Sequence, residues 1–211
     1  MSRFDITAIK GVIPAMVTTF DENEEVDLSR GRALVNYLIK AGVDGLYITG
    51  STGEGFLMTA DERKAFTEAV IEEVRGRIPV IVHIGDIGTK KSIKLAQHAE
   101  QAGADAISSV PPFYYKFNGD DIFNYYKDIS ESVSIPMIVY NISLAGLMSN
   151  ALVKRIASVG NVKGLKFTGR EHDDMCALKQ DLGSDFMIYS GCDEMATQGL
   201  LAGADGLIGS T

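Results

Sequence analysis

A seven-residue motif, here called the repeated phrase, occurs three times and restricts the folds that this chain can adopt. It reads Ala41-Gly-Val-Asp-Gly-Leu-Tyr47, Ala102-Gly-Ala-Asp-Ala-Ile-Ser108 and Ala202-Gly-Ala-Asp-Gly-Leu-Ile208. Glycine just after a helix ends it in the left-handed conformation, and a short apolar run directly afterwards is typical of a buried strand. The phrase therefore predicts helix-to-strand connections in a chain that alternates the two elements.

Eight apolar runs alternate with amphipathic stretches along the chain. The runs predict strands near residues 12–17, 45–50, 79–84, 105–110, 135–140, 162–168, 186–190 and 205–209. The amphipathic stretches predict helices, among them 27–41, 59–75, 89–102, 119–132 and 150–158. Such a series is typical of the α/β class.

A (β/α)8 barrel of the TIM type fits this series better than an open doubly wound sheet, because no Gly-x-Gly-x-x-Gly turn follows the first strand. We expect a single barrel domain over residues 1–211. Each strand of a closed barrel is covered by a helix, and the chain stops directly after the eighth run. The barrel is therefore expected to lack its eighth helix within these residues.

The charge of the chain excludes two classes of partner. Its formal net charge is −8, whereas binding to nucleic acid or to an anionic membrane needs clustered Lys and Arg. No apolar run approaches the length of a transmembrane helix, and the N-terminal residues resemble no signal peptide. We expect a cytoplasmic protein.

Cysteine and histidine are too scattered to predict a metal site. Cys176 and Cys192 lie in no Cys-x-x-Cys pattern, and His83, His98 and His172 form no ligand motif. His83 lies in an apolar strand and His98 in a helix, so a structural role is the simpler prediction for each.

The stretch Gly164-Leu-Lys-Phe-Thr-Gly169 places a lysine inside an apolar strand. Alternation along the strand puts Val162, Gly164 and Lys166 on one face, where a residue without a side chain leaves room beside a long amine. A solvated surface lysine is the alternative. In TIM barrels the active site lies at the C-terminal ends of the strands, which is where Lys166 falls.

Two other strand ends carry polar groups. Ser51 and Thr52 stand in the turn Gly50-Ser-Thr-Gly-Glu54, whose hydroxyls and backbone N–H groups suit an anion; capping of the next helix is the equal alternative. Tyr140 closes the strand before the lysine strand, so its phenol can face the amine, although a buried tyrosine is more often part of a core.

Together these residues describe one chemistry. A desolvated lysine has a depressed pKa and, as a neutral amine, attacks a ketone to form a Schiff base. The protonated imine is an electron sink, the phenol moves the proton when a C–C bond breaks, and the hydroxyl-rich turn holds the carboxylate of an α-keto acid.

The ordered motifs resemble the N-acetylneuraminate lyase and dihydrodipicolinate synthase group of pyruvate-dependent class I aldolases, from Gly11-Val-Ile-Pro14 to Gly209-Ser-Thr211. The resemblance implies Lys166 as the Schiff-base lysine, Tyr140 as the acid/base, and Ser51 and Thr52 as the pyruvate-carboxylate site. It also implies Tyr114 in a proton relay with Ser51 and Tyr140. In the family this tyrosine crosses a subunit contact, which implies a homo-oligomer, usually a tetramer, and a further C-terminal helical segment normally follows the barrel.

Within the group, the sequence is most similar to the sialic-acid lyases. Lysine-biosynthesis members place an arginine a few residues past the tyrosine to bind a second carboxylate, and residues 141–149 contain no arginine. In the lyase branch, the residues that match five positions here line the site for the sugar chain: Thr168, Gly191, Asp193, Glu194 and Ser210. A helix cap and first-turn acid are the alternative for Asp193 and Glu194.

The resemblance implies reversible aldol cleavage of N-acetylneuraminate to N-acetylmannosamine and pyruvate. The partners would then be a small keto acid and an amino sugar, with neither a metal nor an organic cofactor. The nearest alternatives are an aldolase for another 2-keto-3-deoxy sugar acid and a dihydrodipicolinate synthase. A non-catalytic sugar-acid binding barrel is the alternative from another class.

Overall fold

The computed structural model describes residues 4–210 and contains one parallel sheet of eight strands within them. The strands are β1 (Gly11–Val12), β2 (Leu46–Ile48), β3 (Val80–His83), β4 (Ala106–Ser109), β5 (Met137–Ile142), β6 (Val162–Thr168), β7 (Met187–Ser190) and β8 (Gly206–Leu207). The helices are α1 (Leu28–Ala41), α2 (Ala60–Val74), α3 (Thr89–Ala102), α4 (Gly119–Glu131), α5 (Asn150–Ala157), α6 (His172–Leu182) and α7 (Ala196–Leu201). Short 3-10 helices cover Ile6–Ala8, Ser143–Ala145 and Asp193–Met195.

The sheet closes on itself between its first and second strands. Its order is β1-β8-β7-β6-β5-β4-β3-β2, and an isolated parallel bridge joins Ala15 to Tyr47. Around this bridge the Met16 N–H donates to the Tyr47 carbonyl at 2.9 Å, and the Tyr47 N–H donates to the Pro14 carbonyl at 3.0 Å. The predicted TIM-type barrel is confirmed, with a first strand shorter than the predicted 12–17 because Pro14 has no N–H for the ladder.

The repeated phrase has one structural role at all three places. Its glycines lie just beyond α1, α3 and α7 with φ of 90°, 95° and 98°, at Gly42, Gly103 and Gly203. Its aspartates each accept the backbone N–H of a residue on the preceding strand: Asp44 from Val12 at 2.8 Å, Asp105 from Val80 at 3.0 Å, and Asp205 from Ile188 at 2.9 Å. The repeated phrase thus ends a helix through its glycine, and through its aspartate it hydrogen-bonds the start of the next strand to the strand before it.

Apolar side chains pack in two layers, one inside the barrel and one between the sheet and the helices. Tyr47, Tyr140 and Tyr189 belong to the inner layer. Val162, expected to share a face with Lys166, instead packs in the outer layer. The ladder between β5 and β6 shifts register there, because consecutive residues Met137 and Ile138 pair with Val162 and Gly164.

The helices α3, α6 and α7 begin without a side-chain cap. In α2, by contrast, Thr59 and Glu62 form a capping box. Among residues 4–210 no helix has both the length and the apolar character needed to cross a membrane.

Candidate active site

Lys166 lies inside the barrel near the C-terminal end of β6. Its side chain is 4% exposed, and Nζ stands 4.1 Å from the ring centroid of Tyr140 and 4.4 Å from that of Tyr47. The alternative of a solvated surface lysine is therefore wrong. Two aromatic ring faces therefore replace water around this amine.

Burial lowers the pKa of the Lys166 amine from its ordinary value of 10.5 to about 7. Desolvation is the main cause, and electrostatic interactions with Asp193 and Cys192 oppose it. A lysine with this pKa is substantially neutral at physiological pH, and the neutral amine is the form that attacks a carbonyl.

The glycine that makes room for Lys166 is Gly191, not Gly164 as the strand pattern suggests. A Cβ at Gly164 would lie 2.9 Å from the Met187 carbonyl oxygen on β7, so that glycine allows close strand packing. A Cβ at Gly191 would lie 3.2 Å from Lys166 Cε and 1.9 Å from Thr168 Oγ1. Any side chain at position 191 would displace the Thr168 hydroxyl and press against Lys166 Cε.

Tyr140 is the register partner of Lys166 on β5. Burial raises the pKa of its phenol, and the hydroxyls of Thr168 and Ser51 lower it in part. Thr168 Oγ1 is itself buried and has no hydrogen-bond partner of acceptable geometry. This buried hydroxyl lies between Gly191 and the Tyr140 phenol, whose pKa it lowers.

Ser51 and Thr52 lie in a turn that follows β2, and they do not cap a helix. The N-cap of α2 is Thr59, so the capping alternative for Ser51 and Thr52 is wrong. The Gly55 N–H donates to the Gly50 carbonyl at 3.0 Å, and a Cβ on Gly55 would lie 2.0 Å from the Thr49 carbonyl oxygen. This tight turn holds the Ser51 hydroxyl close enough to Tyr140 to affect its pKa.

A buried hydrogen-bond network of Arg63 and His83 holds Thr49, the residue just before the predicted anion turn. Arg63 is 4% exposed and donates to the carbonyls of His83 at 2.8 Å and Gly85 at 3.0 Å. His83 Nε2 accepts the Val110 N–H at 3.2 Å, which leaves Nδ1 as the donor to the Thr49 carbonyl at 3.2 Å. The structural role predicted for His83 is confirmed, whereas nothing in the sequence pattern pointed to Arg63.

Asp193 and Glu194 follow β7 in a 3-10 helix, and neither caps α7, whose N-cap is Met195. The helix-cap part of the alternative is therefore wrong, whereas both residues are first-turn acids of this 3-10 helix, as that alternative also expected. Asp193 Oδ2 accepts the Ser210 N–H at 2.7 Å, which ties the end of β7 to the segment after β8. Glu194 and Ser210 are exposed at the barrel mouth.

Tyr114 does not join the other predicted residues within this chain. Its side chain is 83% exposed, its ring packs edge-on against Tyr115 with centroids 5.0 Å apart, and its φ is 77°. The structure thus brings Lys166, Tyr140 and Thr168 together with the Ser51 turn, and leaves Tyr114 on the surface. The relay role for Tyr114 stays a prediction.

An apolar recess of about 350 Å³ lies beside Ser51. It is lined by Ser51, Glu54, Phe56, Leu57, Val110, Phe113, Ile142, Leu144 and Ala145. None of these lining residues is basic.

Residues 8–211 match the model of the dihydrodipicolinate synthetase family. The chain belongs to that family. It is 40% identical over 208 residues to an N-acetylneuraminate lyase of Escherichia coli, covering 97% of this chain and 70% of the relative. It is 39% identical over 206 residues to the N-acetylneuraminate lyase of Citrobacter koseri, covering 96% of this chain and 69% of the relative.

Solved structures of family members agree with this assignment. CdNal from Clostridium difficile, in complex with mannosamine, matches with a TM-score of 0.92 at 34% identity, covering 96% of this chain and 70% of that one. A dihydrodipicolinic acid synthase family protein from E. coli K12, in complex with pyruvate, matches with a TM-score of 0.90 at 35% identity, covering 95% and 69%. The family barrel is thus present across 95–96% of the chain.

Within residues 4–210 no group of three or more His, Cys, Asp or Glu side chains is arranged to hold a metal ion. His98 instead pairs with Glu68, with Nε2 and Oε1 2.7 Å apart.

Proposed function

We propose that this family member is an N-acetylneuraminate lyase, a Schiff-base aldolase that cleaves N-acetylneuraminate reversibly to N-acetylmannosamine and pyruvate. The observation that carries the proposal is the buried amine of Lys166, with a pKa of about 7, above the ring of Tyr140. Identity of 39–40% to N-acetylneuraminate lyases over nearly the whole chain supports the choice of substrate.

The reaction begins at Lys166. Its neutral amine attacks the keto carbon of the open-chain sugar acid, and loss of water gives a protonated imine. Cleavage of the neighbouring C–C bond sends its electron pair to the imine, which becomes a neutral enamine. Protonation of the enamine carbon and addition of water then release pyruvate and restore the amine.

Tyr140 is proposed to move the proton of the hydroxyl at the cleaved bond. Burial raises the pKa of Tyr140, so its phenol is protonated at neutral pH and cannot accept a proton without releasing its own. The Ser51 hydroxyl is close enough to affect that pKa, which makes Ser51 the residue that relays the released proton. Tyr114, supplied by a neighbouring subunit, would extend the relay.

The two ends of the substrate are proposed to bind on opposite sides of Lys166. Ser51, Thr52 and the backbone N–H groups of their turn hold the carboxylate. On the other side, Asp193 and Glu194 accept hydrogen bonds from sugar hydroxyls, together with Thr168, Gly191 and Ser210.

Dihydrodipicolinate synthase activity is the less favoured alternative because it needs a cation for a second carboxylate. The recess beside Ser51 is apolar where Phe56, Phe113 and Leu144 line it, and residues 141–149 carry neither Lys nor Arg. The desolvation of an unpaired carboxylate in such a recess would be costly.

We also propose a cytoplasmic homotetramer that needs neither a metal nor an organic cofactor. The support for an oligomer is a set of exposed apolar side chains, namely Phe56, Leu57 and Leu144 beside the Ser51 recess and the paired rings of Tyr114 and Tyr115. Such a patch is typical of a subunit contact.

Borohydride reduction in the presence of pyruvate tests the proposal. We expect one reduced pyruvyl group on Lys166 by peptide mass spectrometry, no adduct in Lys166→Met, and release of N-acetylmannosamine and pyruvate from N-acetylneuraminate. An adduct without sialic acid cleavage would favour an aldolase for another 2-keto-3-deoxy sugar acid. Binding of sugar acids without any adduct would favour a non-catalytic barrel.

A further inference from the structure

Tyr47 is a buried aromatic residue at the reacting amine to which neither the sequence motifs nor the proposed mechanism gives a role. It lies on β2, on the side of the barrel away from β6, and its side chain is 1% exposed. Its ring centroid is 4.4 Å from Lys166 Nζ, within the range of a cation–π contact.

The rings of Tyr47 and Tyr140 form a corner around the amine. Their centroids are 6.2 Å apart and their planes lie at 85° to one another, with Lys166 Nζ above both. A positive charge on this nitrogen therefore meets the negative faces of two rings at once.

The ring of Tyr47 is held in this orientation by its own hydroxyl. That hydroxyl donates to Ser108 Oγ at 3.1 Å on β4, so it points away from the chemistry. Burial raises the pKa of the Tyr47 phenol well above its ordinary value, so the group stays neutral. Tyr47 thus presents a ring face to Lys166, while its phenol stays neutral and bonds to Ser108.

The other groups that affect the amine electrostatically lie on strands other than β2 or directly after them. Asp193 and Cys192, after β7, raise the pKa of Lys166. Lys166 in turn helps to lower the pKa of His83 on β3, which is held well below its ordinary value mainly by burial. A carboxylate touching the nitrogen would favour a charged, unreactive amine before substrate arrives. A ring face favours the cation more weakly.

We propose that the π face of Tyr47 is a catalytic element that stabilises the positive charge on the Lys166 nitrogen in the protonated imine. This rests on the proposed function, since it requires that Lys166 form an imine. The charge is present in the ammonium ion and in the protonated imine, and it is absent from the neutral amine and from the enamine. Weakening the ring face should therefore disfavour both charged forms and leave both neutral forms unaffected.

A fluorination series separates the ring's charge distribution from its shape. Tyr47→Phe is the parent, and phenylalanines with increasing numbers of ring fluorines then replace residue 47, which weakens the negative face at nearly constant volume. Across the series we expect the pH midpoint for borohydride trapping of pyruvate to fall by about one unit. Above that midpoint, the equilibrium constant for imine formation should fall roughly tenfold.

These two shifts identify a cation–π contact, because a packing defect that admits water would raise the amine pKa instead. Tyr126 is the matched control. It is 0% exposed, lies in the outer layer, and donates its hydroxyl to the Ser109 carbonyl at 2.9 Å. The same series at Tyr126 should change stability and leave both trapping quantities constant.

Two results would overturn the inference. One is a flat series at position 47 in a protein whose Lys166 still traps pyruvate. The other is loss of trapping in the folded Tyr47→Phe parent, which would assign the role to the hydroxyl. Failure of the wild-type protein to trap pyruvate would instead overturn the proposed function itself.

Discussion

Lys166 and Tyr140 are register partners on adjacent parallel strands, and the amine of the first lies 4.1 Å from the ring centroid of the second. The backbone hydrogen bonds of β5 and β6 therefore set the distance between the two groups. Sites built on strands hold such distances more tightly than sites built on loops. The groups expected to bind the ends of the substrate, apart from Thr168, and those expected to relay the proton lie on the connecting segments.

Burying Lys166 should cost stability, and the cost should depend on pH. The folded pKa of about 7 lies below the ordinary 10.5, so unfolding takes up a proton between these values and stability rises with pH across that window. Lys166→Met lacks this dependence. We expect it to be more stable than wild type by roughly 5 kcal/mol near pH 6, with the difference shrinking towards pH 10.

Chemical denaturation of both proteins over this pH range measures the effect. Lys163→Met is a suitable control, because Lys163 is exposed on the same strand. Its difference from wild type should be small at every pH. A Lys166→Met protein less stable than wild type at low pH would show that the buried amine is better solvated than its surroundings indicate.

Tyr140→Phe should separate imine formation from bond cleavage. The substitution keeps the ring next to Lys166 and removes the hydroxyl expected to move the proton. Because general acid–base catalysis contributes about 10²–10⁴-fold, kcat for cleavage should fall by that order while borohydride still traps pyruvate. Steady-state kinetics and mass spectrometry measure the two steps.

Tyr189→Phe is the control for that experiment. Tyr189 is the register partner of Lys166 on the other side, at β7, and its hydroxyl donates to the Ile9 carbonyl at 2.9 Å. Its loss should cost about 1 kcal/mol of stability with little change in kcat. Equal kinetic effects of the two substitutions would remove the acid/base role of Tyr140.

Ser51→Ala should change the kinetics and not the stability, and Thr59→Ala should change the stability and not the kinetics. Ser51 lies in the turn expected to bind carboxylate, so its loss should raise KM for the keto acid and lower kcat without much change in Tm. Thr59 is the N-cap of α2, so its loss should cost about 1 kcal/mol of stability and leave KM unchanged. A large fall in Tm with unchanged kinetics in Ser51→Ala would contradict the anion-turn assignment.

Much of the barrel could be predicted from local patterns in the sequence. Apolar runs predicted all eight strands. Five of them, β2, β3, β4, β5 and β7, are buried at every position, and strands buried on both faces read as continuous hydrophobic segments. Helices with caps, such as α2, were also predictable. The α6 and α7 helices were not named from the sequence. A missing side-chain cap does not explain this, because α3 lacks one and was predicted, but α7 spans only Ala196–Leu201, which is too short for a clear helical period.

The site was predictable only where a residue's own strand position carried the signal. Lys166 and Tyr140 stand at strand ends, where polar groups are conspicuous. Tyr47 looked like an ordinary core residue, because its contact with Lys166 spans the barrel and depends on how the sheet closes. Gly164 allows close packing against β7, and Gly191 makes room for Lys166 on β6. Both roles depend on neighbouring strands, and the residue pattern of one strand gives no information about its neighbours.

The acidic pair after β7 gives the last prediction, which concerns the sugar chain. Sugar hydroxyls are good donors and carboxylates accept from them strongly. We expect Glu194→Ala to raise KM for N-acetylneuraminate and to lower kcat/KM by about 1–3 kcal/mol, while pyruvate trapping at Lys166 remains nearly intact. Glu194 is exposed, so stability should hardly change.

Asp193 needs a subtler substitution because Oδ2 also accepts the Ser210 N–H at 2.7 Å. Asp193→Ala would lose that bond together with the charge. In Asp193→Asn the amide oxygen can still accept from Ser210, so the variant removes mainly the charge that sugar hydroxyls would meet. We expect Asp193→Asn to impair cleavage of sialic acid more than cleavage of shorter 2-keto-3-deoxy acids. An unchanged ratio between these substrates in folded Asp193→Asn and Glu194→Ala would favour the aldolase for a shorter sugar acid, because the acidic pair would then contact no part of the longer chain.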